Sequence, residues 1–278
     1  MSFSSEVLEI EVDDHVATLW LNRPDARNAL GRALWEDLPR AASAIEEMPD
    51  VRVVVLAARG KHFTVGLDLK EMGASLTGAD AAGTKRSPAT SNAHTYKMIR
   101  RMQDSVTSLS DLRVPVIAAV HGYCIGGGVD LICAADIRLA ASDAIFSVRE
   151  AKVAIVADLG TLQRIPKIVS EGHVAELAFT GKDISAERAA QINLVNDVVP
   201  GSLEDVVAAA HALAREIAAN SPLAVQGTKA VLRANDGATV HEGLEFVARW
   251  NTAYLQSNDL TEAMMAFLER REPNFSGD

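Results

Sequence analysis

Acidic side chains and glycine-rich turns carry the chemistry this chain is capable of. Gly126, Gly127 and Gly128 stand between an apolar, β-branched run, Val116 to Val120, and an Ala/Leu/Ile stretch of helical character. Such glycines leave backbone N–H groups bare at a helix N-terminus, where negative charge is favoured. Asp130 follows in the first turn of that helix, within reach of whatever the amides hold. A tight turn whose Asp only complements the helix dipole accounts for the same residues, and on this stretch alone the two readings are even. The dinucleotide spacing Gly-x-Gly-x-x-Gly is missing, and so is the Lys-Ser/Thr of a P-loop.

Gly66 follows a second buried run and exposes the amide of Leu67 in the same way, so that two such turns could face each other. The plain alternative is an ordinary strand-to-helix connection, with Asp68 as a helix-start cap. Two further carboxyls, Glu150 and Asp158, stand at the ends of an apolar segment, and Asp158 is bordered by Val156, Ala157 and Leu159. Apolar surroundings raise a carboxyl pKa and suit it to proton transfer; an Asp there also fits a cap on a helix starting near Gly160. The seven histidines are scattered without a His-Glu-x-x-His pattern, so no metal site is expected.

The elements that must position these groups can be read from periodicity. Val7 to Val12 and His15 to Leu21 alternate across Asp13-Asp14 as a hairpin. A polar loop from Asn22 to Leu30 leads into a helix over Gly31 to Met48, kinked at Pro39. Val51 to Ala58 reads as a buried strand, residues Gly73 to Ala93 as a long mobile loop, and Thr95 to Leu112 as a helix delivering the chain to the strand at Val116. Two strands are expected at Asp136 to Ala140 and Ala144 to Val148. The remainder is mostly helical apart from a strand at Leu194 to Val199, and its last two helices carry Leu244, Phe246, Trp250, Tyr254, Met264 and Phe267. No linker divides the chain, which reads as one α/β domain with a helical C-terminal part.

Composition narrows the partners. The 278 residues are 48% hydrophobic, and 37 acidic against 27 basic side chains give a formal net charge of -10, which argues against nucleic acid or anionic lipid. Cys124 and Cys133 read as small core residues rather than a disulfide or metal pair. With no apolar run approaching the ~18 residues of a membrane span, no signal or transit pattern and no Ser-Lys-Leu ending, the expected location is a bacterial cytoplasm.

Phe63-Thr64-Val65-Gly66-Leu67-Asp68-Leu69 and His121-Gly122-Tyr123-Cys124-Ile125-Gly126-Gly127-Gly128-Val129-Asp130 resemble the two oxyanion-hole motifs of the crotonase, or enoyl-CoA hydratase/isomerase, superfamily. The likeness covers nearly the whole chain. It implies a crotonase-like fold of repeated ββα units over residues 1–200, with a helical part over 201–278 packing on the core or on a neighbouring subunit. It also implies that the amides of Leu67 and Gly127 hold the thioester oxygen of an acyl-CoA. Within the superfamily, Asp130, Glu150 and Asp158 together with Ala157-Asp158-Leu159-Gly160-Thr161 and Ser221-Pro222-Leu223 resemble the dienoyl-CoA isomerase branch. That branch would isomerise a 3,5-dienoyl-CoA to the 2,4-diene, with Glu150 and Asp158 as the two proton-transfer groups and Asp130 supporting them. The rivals are an enoyl-CoA hydratase using Asp130 and Glu150, and a catalytically silent acyl-CoA-binding paralogue.

Further expectations follow from the likeness. Coenzyme A would enter as part of the substrate, with no other cofactor, against Arg27, Asn28, Ala29, Lys61 and Phe63. A homotrimer or a dimer of trimers is expected. Two positions depart from the branch: Lys152 and Ala154 stand where its animal members have an acidic residue and a glycine. A Lys152 pointing inward would lower a neighbouring carboxyl pKa.

Overall fold

Alternation along the strands decides the architecture. In the computed structural model, which describes residues 3–76 and 87–278, Val53, Val55 and Ala57 point to one face of a sheet and Val54, Leu56 and Ala58 to the other, all buried. In chain order the elements are β1 Leu8–Asp13, β2 Val16–Leu21, α1 Arg32–Glu46, β3 Val53–Ala58, α2 Leu69–Leu76, α3 Pro88–Asp111, β4 Val116–Val120, β5 Tyr123–Ile125 and α4 Gly127–Cys133. Next come β6 Ile137–Ala141, β7 Ile145–Ser147, α5 Thr161–Arg164, α6 Glu171–Thr180, β8 Ile184–Ser185, α7 Ala186–Gln191 and β9 Asp197–Val199. Four helices close the chain: α8 Leu203–Ala218, α9 Pro222–Ala234, α10 Val240–Tyr254 and α11 Asn258–Glu269. A 3-10 turn at Glu150–Val153 lies between β7 and α5.

Six strands form the main sheet in the order β1-β2-β3-β4-β6-β9, antiparallel at the opening hairpin and parallel from β2 onwards. One face packs under α1, α3 and α4; α8 covers the other with Val206, Ala210, Ala214 and Ala218, a stripe of small side chains at i, i+4 that lets the helix lie close to the strands. The C-terminal helical part is anchored at the central strand, where the buried Lys229 Nζ of α9 donates to Val114 O and Asp136 Oδ2, both at 2.8 Å.

The second sheet, β5-β7-β8, is the feature the periodicity does not reveal, because strands of two or three residues show no period. Phe63 to Val65 extends it: Thr64 bridges Cys124, whose register partner on β7 is Phe146. Three successive units are thereby aligned, each a main-sheet strand (β3, β4, β6) followed by a second-sheet segment and then a helical turn (α2, α4, Glu150–Val153). The triple glycine thus follows β5 rather than β4 directly. The repeated ββα fold is borne out.

The expected loop from Gly73 to Ala93 is corrected at both ends. Gly73 to Leu76 continue α2, and Pro88 to Ala93 open α3; residues 77–86 lie outside the described residues. Ser87 is the N-cap, its Oγ accepting the Thr90 amide, and Pro88 occupies the first turn. α1 continues through Pro39.

Candidate active site

The aligned units bring the glycine turns together. Phe63 N donates to His121 O, Thr64 N to Tyr123 O and Ile125 N to Thr64 O, so the segments leading into Gly66 and Gly126 run side by side. A Cβ on Gly66, at φ +88°, would stand 2.8 Å from Ile125 O. Gly126 has φ 54° and ψ -118°, a conformation open in practice to glycine alone. Among the described residues, neither the Leu67 nor the Gly127 amide has a hydrogen-bond acceptor. Two unengaged N–H groups on adjoining turns form a site for a carbonyl oxygen acquiring negative charge.

The third unit supplies Glu150 at the start of its 3-10 turn. Its Oε1 lies 3.3 Å from where a Gly126 Cβ would be, beside the glycine turn, and its Oε2 is buried without a hydrogen-bond partner among the described residues. Burial first, and the nearby carboxyls of Asp130 and Asp158 second, raise the Glu150 pKa to about 7. Asp130, on the first turn of α4, is 1% exposed, and burial raises it to about 6 against the pull of its hydrogen bond to Thr161. Its Oδ1 accepts the Thr161 amide at 2.5 Å.

That bond decides the capping question left open by the sequence. Gly160 is the N-cap of α5, and the carboxylate received at that helix start is Asp130 from another element, not Asp158. Asp158 is half-buried in the irregular segment between the 3-10 turn and α5, and burial raises its pKa. Asp130, Glu150 and Asp158 all border one cavity of about 190 Å³ with Leu67, Gly127, Met98 and Ile99. Asp68 caps α2 through the Lys70 and Glu71 amides and pairs with Arg23, as its reading as a cap requires.

Lys152 does not point inward. It is exposed and lies along Gly181, and it contributes to neither carboxyl's shift. Ala154 sits at φ 58°, the left-handed conformation for which a glycine is the unstrained choice.

The residues expected to meet coenzyme A divide into two groups. Arg27 and Lys61 are exposed and close enough together that, after burial, they are the next causes of a lowered His62 pKa; Ala29 is half-buried beside them. The side chains of Asn28 and Phe63 are not available to a ligand. Phe63 is fully buried in the main core, and the Asn28 amide donates to Arg59 O and His62 O while its Oδ1 accepts the Arg23 amide. Both shape the loop that presents the exposed cations. Among the described residues, no three His, Cys, Asp or Glu side chains are grouped as a metal site, and no helix is long and apolar enough to cross a membrane.

Sequence reasoning missed Trp35 and the α3 face of the cavity, Thr95, Met98, Ile99 and Met102. The i, i+3, i+4, i+7 spacing of the α3 residues was visible, but it marks a buried stripe without saying that a cavity lies under it.

Comparison with known proteins gives the family of the chain. The family model described as Enoyl-CoA hydratase/isomerase matches residues 11–278. A peroxisomal protein of Arabidopsis thaliana named Delta(3,5)-Delta(2,4)-dienoyl-CoA isomerase is 42% identical over 271 residues, 98% of this chain and 96% of that protein. A mitochondrial protein of the same name from Dictyostelium discoideum is 44% identical over 270 residues, 96% of this chain and 90% of its own. Among solved structures, an enoyl-CoA hydratase from Bacillus anthracis superposes with a TM-score of 0.87 at 30% identity, covering 98% of this chain and all of that one. With a family model matched over residues 11–278 and relatives 42% and 44% identical over nearly the whole chain, this chain belongs to the enoyl-CoA hydratase/isomerase family.

Proposed function

We propose that the protein isomerises 3,5-dienoyl-CoA to 2,4-dienoyl-CoA. The observation that carries this reading is the third carboxyl: Asp158 shares the cavity of Glu150 and Asp130 and is not spent as a helix cap. Hydration needs only two carboxyls around one water, whereas moving the diene requires a proton to leave C2 and another to arrive at C6. The names of the two isomerase relatives support the same choice.

In this mechanism the thioester oxygen sits between the Leu67 and Gly127 amides, each contributing roughly 3 kcal/mol to the dienolate. Glu150, whose Oε1 borders the Gly126 turn, is the base nearest that oxygen site; its ionised form takes the C2 proton, and the electron pair of that C–H bond delocalises into the thioester. Asp158 gives its proton to C6, the double bonds become C2=C3 and C4=C5, and the proton count of the coupled carboxyls is unchanged. A base with a pKa near 7 accepts a carbon-bound proton more readily than an ordinary carboxylate. Asp130 holds the start of α5, and its nearby carboxyl adds to the raised pKa that makes Glu150 a stronger base.

Coenzyme A enters as part of the substrate with no further cofactor, its phosphates meeting the exposed Arg27 and Lys61. The assembly is a homotrimer or a dimer of trimers. Two buried, free cysteines suit a reducing cytoplasm, although the relatives named above carry peroxisomal and mitochondrial names. The function is tested by supplying a 3,5-dienoyl-CoA and following the absorbance of the conjugated 2,4-diene, alongside hydration of crotonyl-CoA by the same preparation. Fast diene conversion with slow hydration is expected; hydration without diene conversion makes the protein a hydratase.

A further inference from the structure

The segment carrying Asp158 has no secondary structure of its own. Between the left-handed Ala154 and the positive-φ Gly160 it forms neither helix nor strand, and Val156 within it is 74% exposed. A proton donor on such a segment must be held by something else. The contacts that do so come from α3 directly and from α3 through Arg164 of α5. The Gln103 side-chain amide donates to the Asp158 carbonyl oxygen at 2.6 Å, and Arg100 donates to Gln103 Oε1 at 2.7 Å, which fixes the amide with its NH2 towards the segment. One residue on, Arg164 Nη1 donates to Leu159 O at 3.3 Å while its Nη2 donates to Thr107 Oγ1 at 2.8 Å.

Arg100, Gln103 and Thr107 are spaced i, i+3, i+7 and form one polar stripe on α3; Met98, Ile99 and Met102 form the neighbouring apolar stripe that lines the acyl cavity. One helix therefore touches both the acyl cavity and the backbone of the acid. Behind the stripe lies a separate polar cavity of about 850 Å³, bordered by Gln103, Thr107, Gly160 and Arg164, so water can reach the Asp158 carbonyl if Gln103 withdraws.

We infer that Gln103 is a positioning residue for proton delivery to the far end of the diene: with Arg164 and Thr107 it clamps the Asp158 segment to α3 and sets the distance between Asp158 and Glu150. Gln103 does not border the cavity shared by Glu150 and Asp158. It acts on C6 protonation, through Asp158, and leaves the Glu150 step at C2 alone. This inference rests on the isomerase reading above.

The test is Gln103→Leu, which keeps the bulk and removes the donor, with Thr107→Val as a second, milder variant, both assayed in D2O with a 3,5-dienoyl-CoA. Deuterium entry at C2 of unconverted substrate reports the Glu150 step; formation of the 2,4-diene reports the complete transfer. For Gln103→Leu the expected result is a fall in kcat for diene formation of about 10- to 100-fold, the scale of a misplaced reacting group, with KM little changed and exchange at C2 retained. Thr107→Val should fall less, in the same direction. Wild-type diene formation in Gln103→Leu overturns the inference, and so does a loss of exchange and conversion together in both variants. Wild-type protein that fails to convert the diene at all instead sinks the isomerase reading, a distinct outcome.

Discussion

Glu150 carries a cost that its chemistry explains. Burial and two acidic neighbours raise its pKa from 4.5 to about 7, so the fold prefers the protonated carboxyl. The penalty for ionising it is absent below about pH 4.5, grows as the pH rises and is complete above about pH 7, where it amounts to roughly 3 kcal/mol. Glu150→Gln, which removes the charge, should therefore raise the thermal midpoint at pH 8 and lose that advantage towards pH 5; an advantage equal at both pH values contradicts the account. In the mechanism proposed above, the same titration governs the wild-type rate with the opposite benefit. A protonated Glu150 cannot take the C2 proton, so kcat/KM should fall as the pH drops below about 7. Because the three carboxyls interact, the apparent values belong to the set.

At the scale of elements, the three aligned ββα turns explain why groups far apart in sequence meet. Gly126 is the demanding point nearest the carboxyls. A side chain there is strained at φ 54°, and its Cβ would press on Glu150 Oε1 at 3.3 Å. Gly126→Ala should lower kcat by about 100-fold by shifting the Gly127 amide, and lower stability by about 1 kcal/mol, read by assay and thermal melt on one preparation. A fully active alanine variant contradicts the assignment of that amide.

Much of this scale was legible in the sequence. Val116 to Val120 marked β4 to the residue because a strand buried on both faces is a continuous apolar run, and the glycines marked the turns. The second sheet was not legible, since β5, β7 and Phe63 to Val65 are too short to show alternation. The Ser87-Pro88 cap was present, but the Gly, Ala, Ser and Thr around it hid the start of α3. Asp158 looked like a cap because an Asp just before a helix normally is one. Only the fold shows that Asp130, 31 positions away from Thr161, takes that place. Gln103 left no signal at all, because it acts on a backbone carbonyl 55 positions away.

For the whole molecule, the body is closed by α8, and the later helices are tied to it at Lys229 and through the tail. Arg52 donates to Ala218 O and Phe275 O, and Asp259 accepts the Ser276 and Gly277 amides. Even so, Val240, Leu244, Met264, Phe267 and Leu268 are each more than half exposed. Apolar surface of this extent marks an interface, and in the trimeric assembly proposed above these helices are the surface that self-association would cover. Sedimentation equilibrium should return the mass of three or six chains; a monomer at micromolar concentration contradicts the assembly proposed.

The central claim is that Asp158 and Glu150 divide the proton transfer between C6 and C2. Asp158→Asn tests it most directly, since the amide keeps the shape and cannot serve as the acid. With a 3,5-dienoyl-CoA in D2O, the account predicts that diene formation falls by a factor of at least about 100 while deuterium still enters at C2. Undiminished conversion by Asp158→Asn would contradict it, leaving Asp158 a bystander and the pair Asp130 and Glu150 as the whole of the chemistry.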